Sequence, residues 1–314
     1  MSFSGNVKEE LVRQTAKSRH CQLAELAAVM EFLGKISIEE GSERIILTTE
    51  NTGVARKFIT LIKLLFSYEV QLEVIANQAT KNRSYRVTIE GKDRVDMILK
   101  AVKKIDEHGA LIHRENLVAG LLVQQTCCKR AFIRGAFLAA GSMSNPEKSY
   151  HLEIVAPTRP KAEQLMEMMN GFELDAKIVP RKNHFVVYLK EGAQIVDLLN
   201  VMEAHKSLMD LENVRIVKNM RNNVNRQVNC ETANINKTVN AAVRQLEDIR
   251  YVDEQIGLSA LPVNLQEIAQ IRLEHPQSSL VELGQMLNPP VGKSGVNHRL
   301  RKISETAQKL RGDD

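Results

Sequence analysis

The chain lacks the features that mark a secreted or membrane-embedded protein. Met1 to Lys8 has no long apolar run behind a basic patch, so no secretory leader is expected. Nowhere do about 18 apolar residues follow one another, so no membrane insertion is expected. Cysteine is scarce: Cys21, Cys127, Cys128 and Cys230 form no C-x-x-C pair and are too few for a disulfide framework. A reducing, cytoplasmic setting is expected. Any excess of one charge over the other is small as well. The 314 residues hold 43 Lys and Arg against 38 Asp and Glu, a net +5, too small to argue for nucleic acid unless the excess is concentrated somewhere.

Signatures of catalysis are missing too. There is no G-x-S-x-G elbow and no H-E-x-x-H. Gly292-Lys293-Ser294 looks like the end of a phosphate-binding loop, but Leu287 stands where that loop needs glycine. Pro289 and Pro290 also remove amides the loop would use. The eight histidines show no metal-ligand spacing with cysteine, and adjacent Cys127 and Cys128 are expected on different sides of a helix, as packing residues. No catalytic residue, metal or cofactor is expected.

What the chain does have is an internal repeat. Cys21 to Gly34 aligns without a gap on Cys128 to Gly141, at an offset of 107 residues. Each reads as a helix closed by a glycine in the left-handed position. A strand follows each (44–48 and 151–155), then an amphipathic helix (about 53–66 and 159–169). Two more strands come next (near 70–74 and 85–89, then 174–178 and 185–189), and a closing helix (near 94–104 and 193–201). Tyr85 to Ile89 alternates apolar and polar, as a sheet with one wet face requires. The fold class is α+β with antiparallel hairpins. Ala24, Ala27, Ala28, Gly135, Ala136 and Ala139 leave little bulk, so the two repeat helices are expected to pack closely at the centre of one pseudo-symmetric domain. Glu25 and Glu31 align with Phe132 and Leu138, form no symmetric acid pair, and are expected at the solvated surface.

Beyond residue 210 the chain changes character. Nine asparagines fall between 213 and 240, and Val217, Met220, Val224 and Val228 recur at helical spacing. Arg215, Lys218, Arg221, Arg226, Lys237 and Arg244 face one acid, Glu231. This basic helix, 211–250, either contacts phosphates through Arg215, Lys218, Arg221 and Arg226 or is a solvated linker.

The last segment, 251–314, reads as three short helices. Asn264-Leu-Gln-Glu267 and Ser279-Leu-Val-Glu282 have the form of capping boxes, and His275-Pro276 ends the first helix. Asn288-Pro-Pro-Val-Gly292 makes a turn, and Ser294 is expected to cap a third helix reaching Leu310. Val296, Leu300, Ile303 and Ala307 mark its core face. From Val291 to Arg311 six basic residues face one acid, Glu305, whereas Leu261 to Pro290 has Arg272 against three acids. This is a helix-turn-helix with its charge on the recognition helix. The expected DNA contacts are Lys293, Ser294, Asn297, His298, Arg299, Arg301, Lys302 and Lys309. Arg suits guanine and Asn suits adenine, while Lys suits phosphate. Which of Asn297, His298 or Arg301 reaches a base is left open, as is a solvated basic helix.

The repeat and the C-terminal module together resemble the WhiA family of bacterial sporulation and cell-division regulators, over nearly the whole chain. The nine-residue motif reads Leu26-Ala-Ala-Val-Met-Glu-Phe-Leu-Gly34 and Ile133-Arg-Gly-Ala-Phe-Leu-Ala-Ala-Gly141. The resemblance implies a tandem-repeat LAGLIDADG homing-endonuclease-like domain over 1–210 (repeats about 21–105 and 128–202). It also implies an all-α helix-turn-helix similar to sigma factor region 4 over 251–314. In the nucleases an acid before the terminal glycine helps bind the catalytic metal. Leu33 and Ala140 stand at those degenerate positions and cannot. The resemblance implies a nonenzymatic, nucleoid-associated regulator of cell division, chromosome segregation or sporulation-linked transcription. Its partners would be double-stranded DNA and division or transcription proteins. A docking scaffold and a metal-dependent endonuclease are the alternatives.

Overall fold

Small residues at helical spacing let two helices approach until their backbones nearly touch, and the first unit of the structure is built on such a pair. A computed structural model describes residues 2–37, 43–76 and 83–312. The chain divides into two compact units, Met1–Lys218 and Asn219–Asp314.

In the first unit, α1 (Phe3–Arg13) is followed by α2 (Arg19–Leu33), β1 (Gly34–Ser37), β2 (Arg44–Thr49), α3 (Thr52–Phe66), β3 (Gln71–Ala76), β4 (Arg83–Glu90) and α4 (Lys92–Ala101). The second repeat supplies α5 (Thr126–Ala140), β5 (Gly141–Met143), β6 (Leu152–Ala156), α6 (Arg159–Asn170), β7 (Lys177–Arg181), β8 (His184–Leu189) and α7 (Gly192–Val201). Each repeat makes one four-stranded antiparallel sheet, in the orders β1-β2-β4-β3 and β5-β6-β8-β7. The expected α+β class, the antiparallel pairing and the repeat hold.

The central pair, α2 and α5, also holds. A Cβ added at Gly135 would sit 2.7 Å from the Glu25 carbonyl oxygen and 2.8 Å from the Ala28 Cβ. Ala24, Ala27, Ala28 and Ala136 are buried around this contact. Dispersion is gained only because neither helix carries bulk there.

Three features depart from expectation. Gly34 and Gly141 are not left-handed caps: both are extended, with φ −80° and −86°, and each opens a strand, β1 and β5. Glycine is needed for room, since a Cβ would lie 2.5 Å from the Met30 carbonyl oxygen or 2.3 Å from Phe137 Cδ2. Helix α1, absent from the pattern, buries Val7 and Leu11. The third strand of the second repeat lies at 177–181, three residues later than 174–178, because Leu174 and Ala176 turn into the core before it.

Glu25 and Glu31 are not at the surface. Glu25 is fully buried and meets Arg134 through Nε and Nη2 at 3.3 and 3.2 Å, and Lys57 Nζ at 3.2 Å. Lys57 also donates to the Gln14 carbonyl, and Arg134 Nη1 donates to Glu203 at 2.7 Å. Burial lowers the Lys57 pKa despite Glu25. For Arg134 burial pulls the same way, but Glu25 and Glu203 outweigh it and the net direction is up. Glu31 pairs with Lys104 of the first repeat and with Lys161 of the second, the latter at 2.5 Å. Alignment with Phe132 and Leu138 concealed these roles: the carboxylates sit where the second repeat has core side chains, and cations from other elements neutralise them.

Helix α8 (His205–Ile256) runs for 52 residues. Its start is capped by Glu10, which accepts from the Lys206 and Ser207 amides at 2.8 and 2.9 Å, a carboxylate placed at the positive helix end. Residues 219–241 are exposed throughout, including Met220, Val224, Val228, Ile235 and Val239. In the second unit, Ile249 and Val252 of α8 join a separate core with α9 (Val263–Glu274), α10 (Leu280–Met286) and α11 (Lys293–Arg311).

Candidate nucleic-acid interface

A recognition helix needs one apolar side to seat it and one polar side left free. In α11 the seating side is Val296, Leu300, Ile303 and Ala307, all at 1% exposure or less. Leu265, Ile268, Ala269 and Leu283 of α9 and α10 complete that core. The Ser279 box forms: the Ser279 hydroxyl accepts from the Glu282 amide at 3.3 Å, and the Ser279 amide donates to Glu282 at 2.7 Å. That amide bond, aided by the hydroxyl, lowers the Glu282 pKa. Helix α9 ends at Glu274, as His275-Pro276 required.

Two expected caps are not made. Pro262, not Asn264, precedes α9, and Glu267 instead accepts from the Asn288 amide at 3.3 Å in the turn before α11. Gly292, not Ser294, is the N-cap of α11, which leaves the Ser294 side chain in the first helical turn and exposed.

The free side of α11 carries Ser294, Asn297, His298, Arg301, Lys302 and Lys309, all exposed, and Lys293 is exposed at its start. Arg301 is 77% exposed and bonds along the helix, Nε to Glu305 at 3.1 Å. Arg299, at the edge of that side, is less exposed than these. It turns towards α9, with Nη1 3.4 Å from the Asn264 carbonyl and 3.9 Å from Glu267. Position 299 lies on the helix flank next to the Val296 and Leu300 side, so its guanidinium braces two helices together. Arg311 is similarly tied, to Asp248 at 2.9 Å and over the Tyr251 ring at 4.6 Å.

The basic residues of α8 divide. Arg221 and Arg226 are exposed. Arg215 pairs with Glu212, and Lys218 donates to the Pro146 carbonyl at 2.7 Å and lies 4.7 Å from the Tyr150 ring. The phosphate contacts expected of Arg215 and Lys218 therefore compete with bonds already made. The wet face of the first sheet mixes signs, Arg44 and Arg86 with Glu73 and Glu90, and Arg86 lies 3.9 Å from Glu73.

Leu33 and Ala140 close α2 and α5, and neither side chain offers a ligand oxygen. Among the described residues, one group of His, Cys, Asp and Glu could hold a metal: His20, Cys21, Cys127 and Cys128, at the opposite ends of the same two helices. This overturns the expectation that these cysteines point apart and that no histidine joins them. His20 Nδ1 lies 3.1 Å from Cys128 Sγ, 3.3 Å from Cys21 Sγ and 4.0 Å from Cys127 Sγ. Adjacent side chains on a first turn can both reach a point beyond the helix end, which a side-by-side helical view misses. The missed signal was present: the 107-residue offset pairs His20 with Cys127 just as it pairs Cys21 with Cys128.

Comparison with known proteins agrees with this architecture. Residues 19–104 match the WhiA N-terminal LAGLIDADG-like domain, 129–221 the WhiA LAGLIDADG-like domain, and 224–307 the WhiA C-terminal HTH domain. The chain belongs to the WhiA family. A protein of Lachnoclostridium phytofermentans described as a probable cell division protein WhiA is 53% identical, over 99% of this chain and all of that one. One from Alkaliphilus oremlandii with the same description is 51% identical, over 99% and 98%. The crystal structure of full-length WhiA from Thermatoga maritima superposes with a TM-score of 0.61 at 26% identity, covering 98% of this chain and 99% of that one. The WhiA helix-turn-helix is thus present together with two LAGLIDADG-like repeats. No helix among the described residues is long and apolar enough to cross a membrane.

Proposed function

We propose that this WhiA chain is a nonenzymatic DNA-binding regulator of cell division that reads duplex DNA with the free side of α11. The observation that carries the reading is that side itself: Asn297, His298, Arg301 and Lys302 are exposed opposite a fully seated apolar side, with Glu305 as the acid among them. Asn297 and Arg301 suit base edges, and Lys302 and Lys309 suit phosphate. Arg221 and Arg226 extend the cationic surface along α8. Chromosome segregation, sporulation-linked transcription and nucleoid association follow as the uses of such binding. The loss of ligand oxygens at Leu33 and Ala140 supports a scaffold without nuclease activity.

The test is fluorescence anisotropy of the full chain on genomic duplex fragments. Asn297→Ala combined with Arg301→Ala and Lys302→Ala should lose affinity while its thermal melt is unchanged. Undiminished affinity in the folded triple variant would reject α11 as the reading helix. Duplex cleavage with Mg²⁺ would reject the nonenzymatic reading.

A second reading, a docking scaffold for division or transcription proteins, draws on the exposed stripe Met220, Val224, Val228, Ile235 and Val239 of α8. Polar substitution of that stripe should abolish partner capture and spare duplex affinity if docking is its role.

A further inference from the structure

The four donors at the N-terminal ends of α2 and α5 are a soft ligand set in the first turns of two helices that meet at the centre of the unit. We propose that His20, Cys21, Cys127 and Cys128 bind one zinc ion, which clamps the two repeats together.

Four observations carry this. The first is convergence: the four donor atoms come from two distant segments of the chain, yet all lie within 4.8 Å of one another. A tetrahedral zinc, with sulfur at about 2.3 Å and nitrogen at about 2.0 Å, holds its donors roughly 3.5–3.8 Å apart. Side-chain rotations alone close that difference. The second is donor chemistry. Three thiols and one imidazole form a closed structural zinc set, while the absence of any carboxylate or carbonyl in it disfavours magnesium and calcium.

The third is symmetry. His20 and Cys21 occupy the second and third positions of α2, and Cys127 and Cys128 occupy the second and third of α5. Each repeat thus contributes two ligands from equivalent places, and the ion would lie near the axis that relates them. The fourth is the electrostatic setting. Both pairs sit in a first helical turn, where the helix dipole offsets part of the cost of forming thiolates at a buried place. The set carries one net negative charge once zinc is bound, and Lys17, Arg19, Lys129 and Arg130 flank it in the sequence.

Cys21 and Cys128 are buried, and His20 and Cys127 are exposed, so an ion could enter from the solvent side and be held from beneath. Burial, then the neighbouring thiols, push the Cys21 thiol up to about 12. Binding releases three protons, one from each thiol, and the neutral imidazole coordinates through Nδ1 with its proton on Nε2. Four protein ligands leave no open position for water, so the ion is structural. It belongs to a different end of the helix pair, and a different ligand class, from Leu33 and Ala140.

The experiment uses the full chain purified with a phosphine reductant and then desalted. Elemental analysis should find one zinc per chain. Cobalt titration of metal-free protein should give intense visible d–d bands and thiolate charge-transfer bands that saturate at one equivalent and are erased by zinc. His20→Ala and Cys127→Ser alter exposed side chains and should keep the circular dichroism of the parent while weakening cobalt binding and shrinking the bands. Zinc should raise the Tm of the parent more than that of either variant. The proposal is overturned if the reduced parent shows no tetrahedral cobalt spectrum. It is equally overturned if the spectrum is indifferent to both variants, or if two of the three cysteines are found as a disulfide under reductant.

Discussion

The two units handle their positive charge in opposite ways. In the first, a set of cations is turned inward or pinned, beside others such as Lys35, Arg56 and Lys63 that are exposed: Lys57 and Arg134 surround buried Glu25, Lys104 and Lys161 hold Glu31, and Lys218 is fastened to the Pro146 carbonyl. In the second, the cations of α11 other than Arg299 and Arg311 extend into solvent from a helix seated by apolar contacts. Both units contain Arg and Lys in comparable proportion. Yet these inner cations of the first are consumed by internal pairing, while those on the free side of α11 remain available to a polyanion. The basic content of a segment therefore says little about binding until the partners of each cation are known.

The contrast can be broken most sharply at Glu25. Glu25→Ala leaves Lys57 and Arg134 buried without their shared carboxylate and should cost the first unit about 3–5 kcal/mol of stability by urea unfolding. A cost below about 1 kcal/mol would show that water reaches the cluster and that its charge is not internal after all.

Arg299 and Arg301 sharpen the comparison within one helix. Arg301→Ala should weaken duplex binding by about 1–3 kcal/mol in anisotropy and leave the melt unchanged. Arg299→Ala should show the reverse, a stability loss of up to about 1 kcal/mol, as its long and partly exposed bonds allow, with duplex affinity retained. If the two variants exchanged these phenotypes, the assignment of brace and reader would be inverted.

Lys302→Ala and Lys309→Ala should each act more weakly. Both should reduce affinity for every sequence alike and flatten the plot of log K against log salt by about 0.9 for each phosphate no longer neutralised. The same substitution at Lys218 should leave that slope unchanged, because its ammonium is already bonded within the first unit. The smallest effect is expected at Glu282. Its pKa is lowered in the folded state, so its contribution is present above the ordinary carboxylate range and fades as pH falls through the lowered value. Glu282→Gln should remove that acid-side slope from a pH series of melts.

Much of the fold is legible in the spacing of residues along the chain. The gapless alignment of Cys21–Gly34 on Cys128–Gly141 locates the central helices, and the alanine and glycine run locates their contact. The apolar rhythm of α11 names its core residues correctly. Glu25 and Glu31 are placed on the wrong side by the same reasoning, because a charged side chain gives no periodic signal of burial. Whether it faces solvent depends on a counter-charge supplied by a distant element.

Periodicity along the chain was enough to determine the repeats, the order of helices and strands apart from α1, β1 and β5, and the seated side of α11, since those follow from steric spacing and apolar burial over a few turns. The meeting of His20 and Cys21 with Cys127 and Cys128, the neutralisation of Glu25, and the division of the arginines into braces and free groups were decided only in three dimensions. Each depends on contacts between segments brought together by packing, which no local pattern encodes.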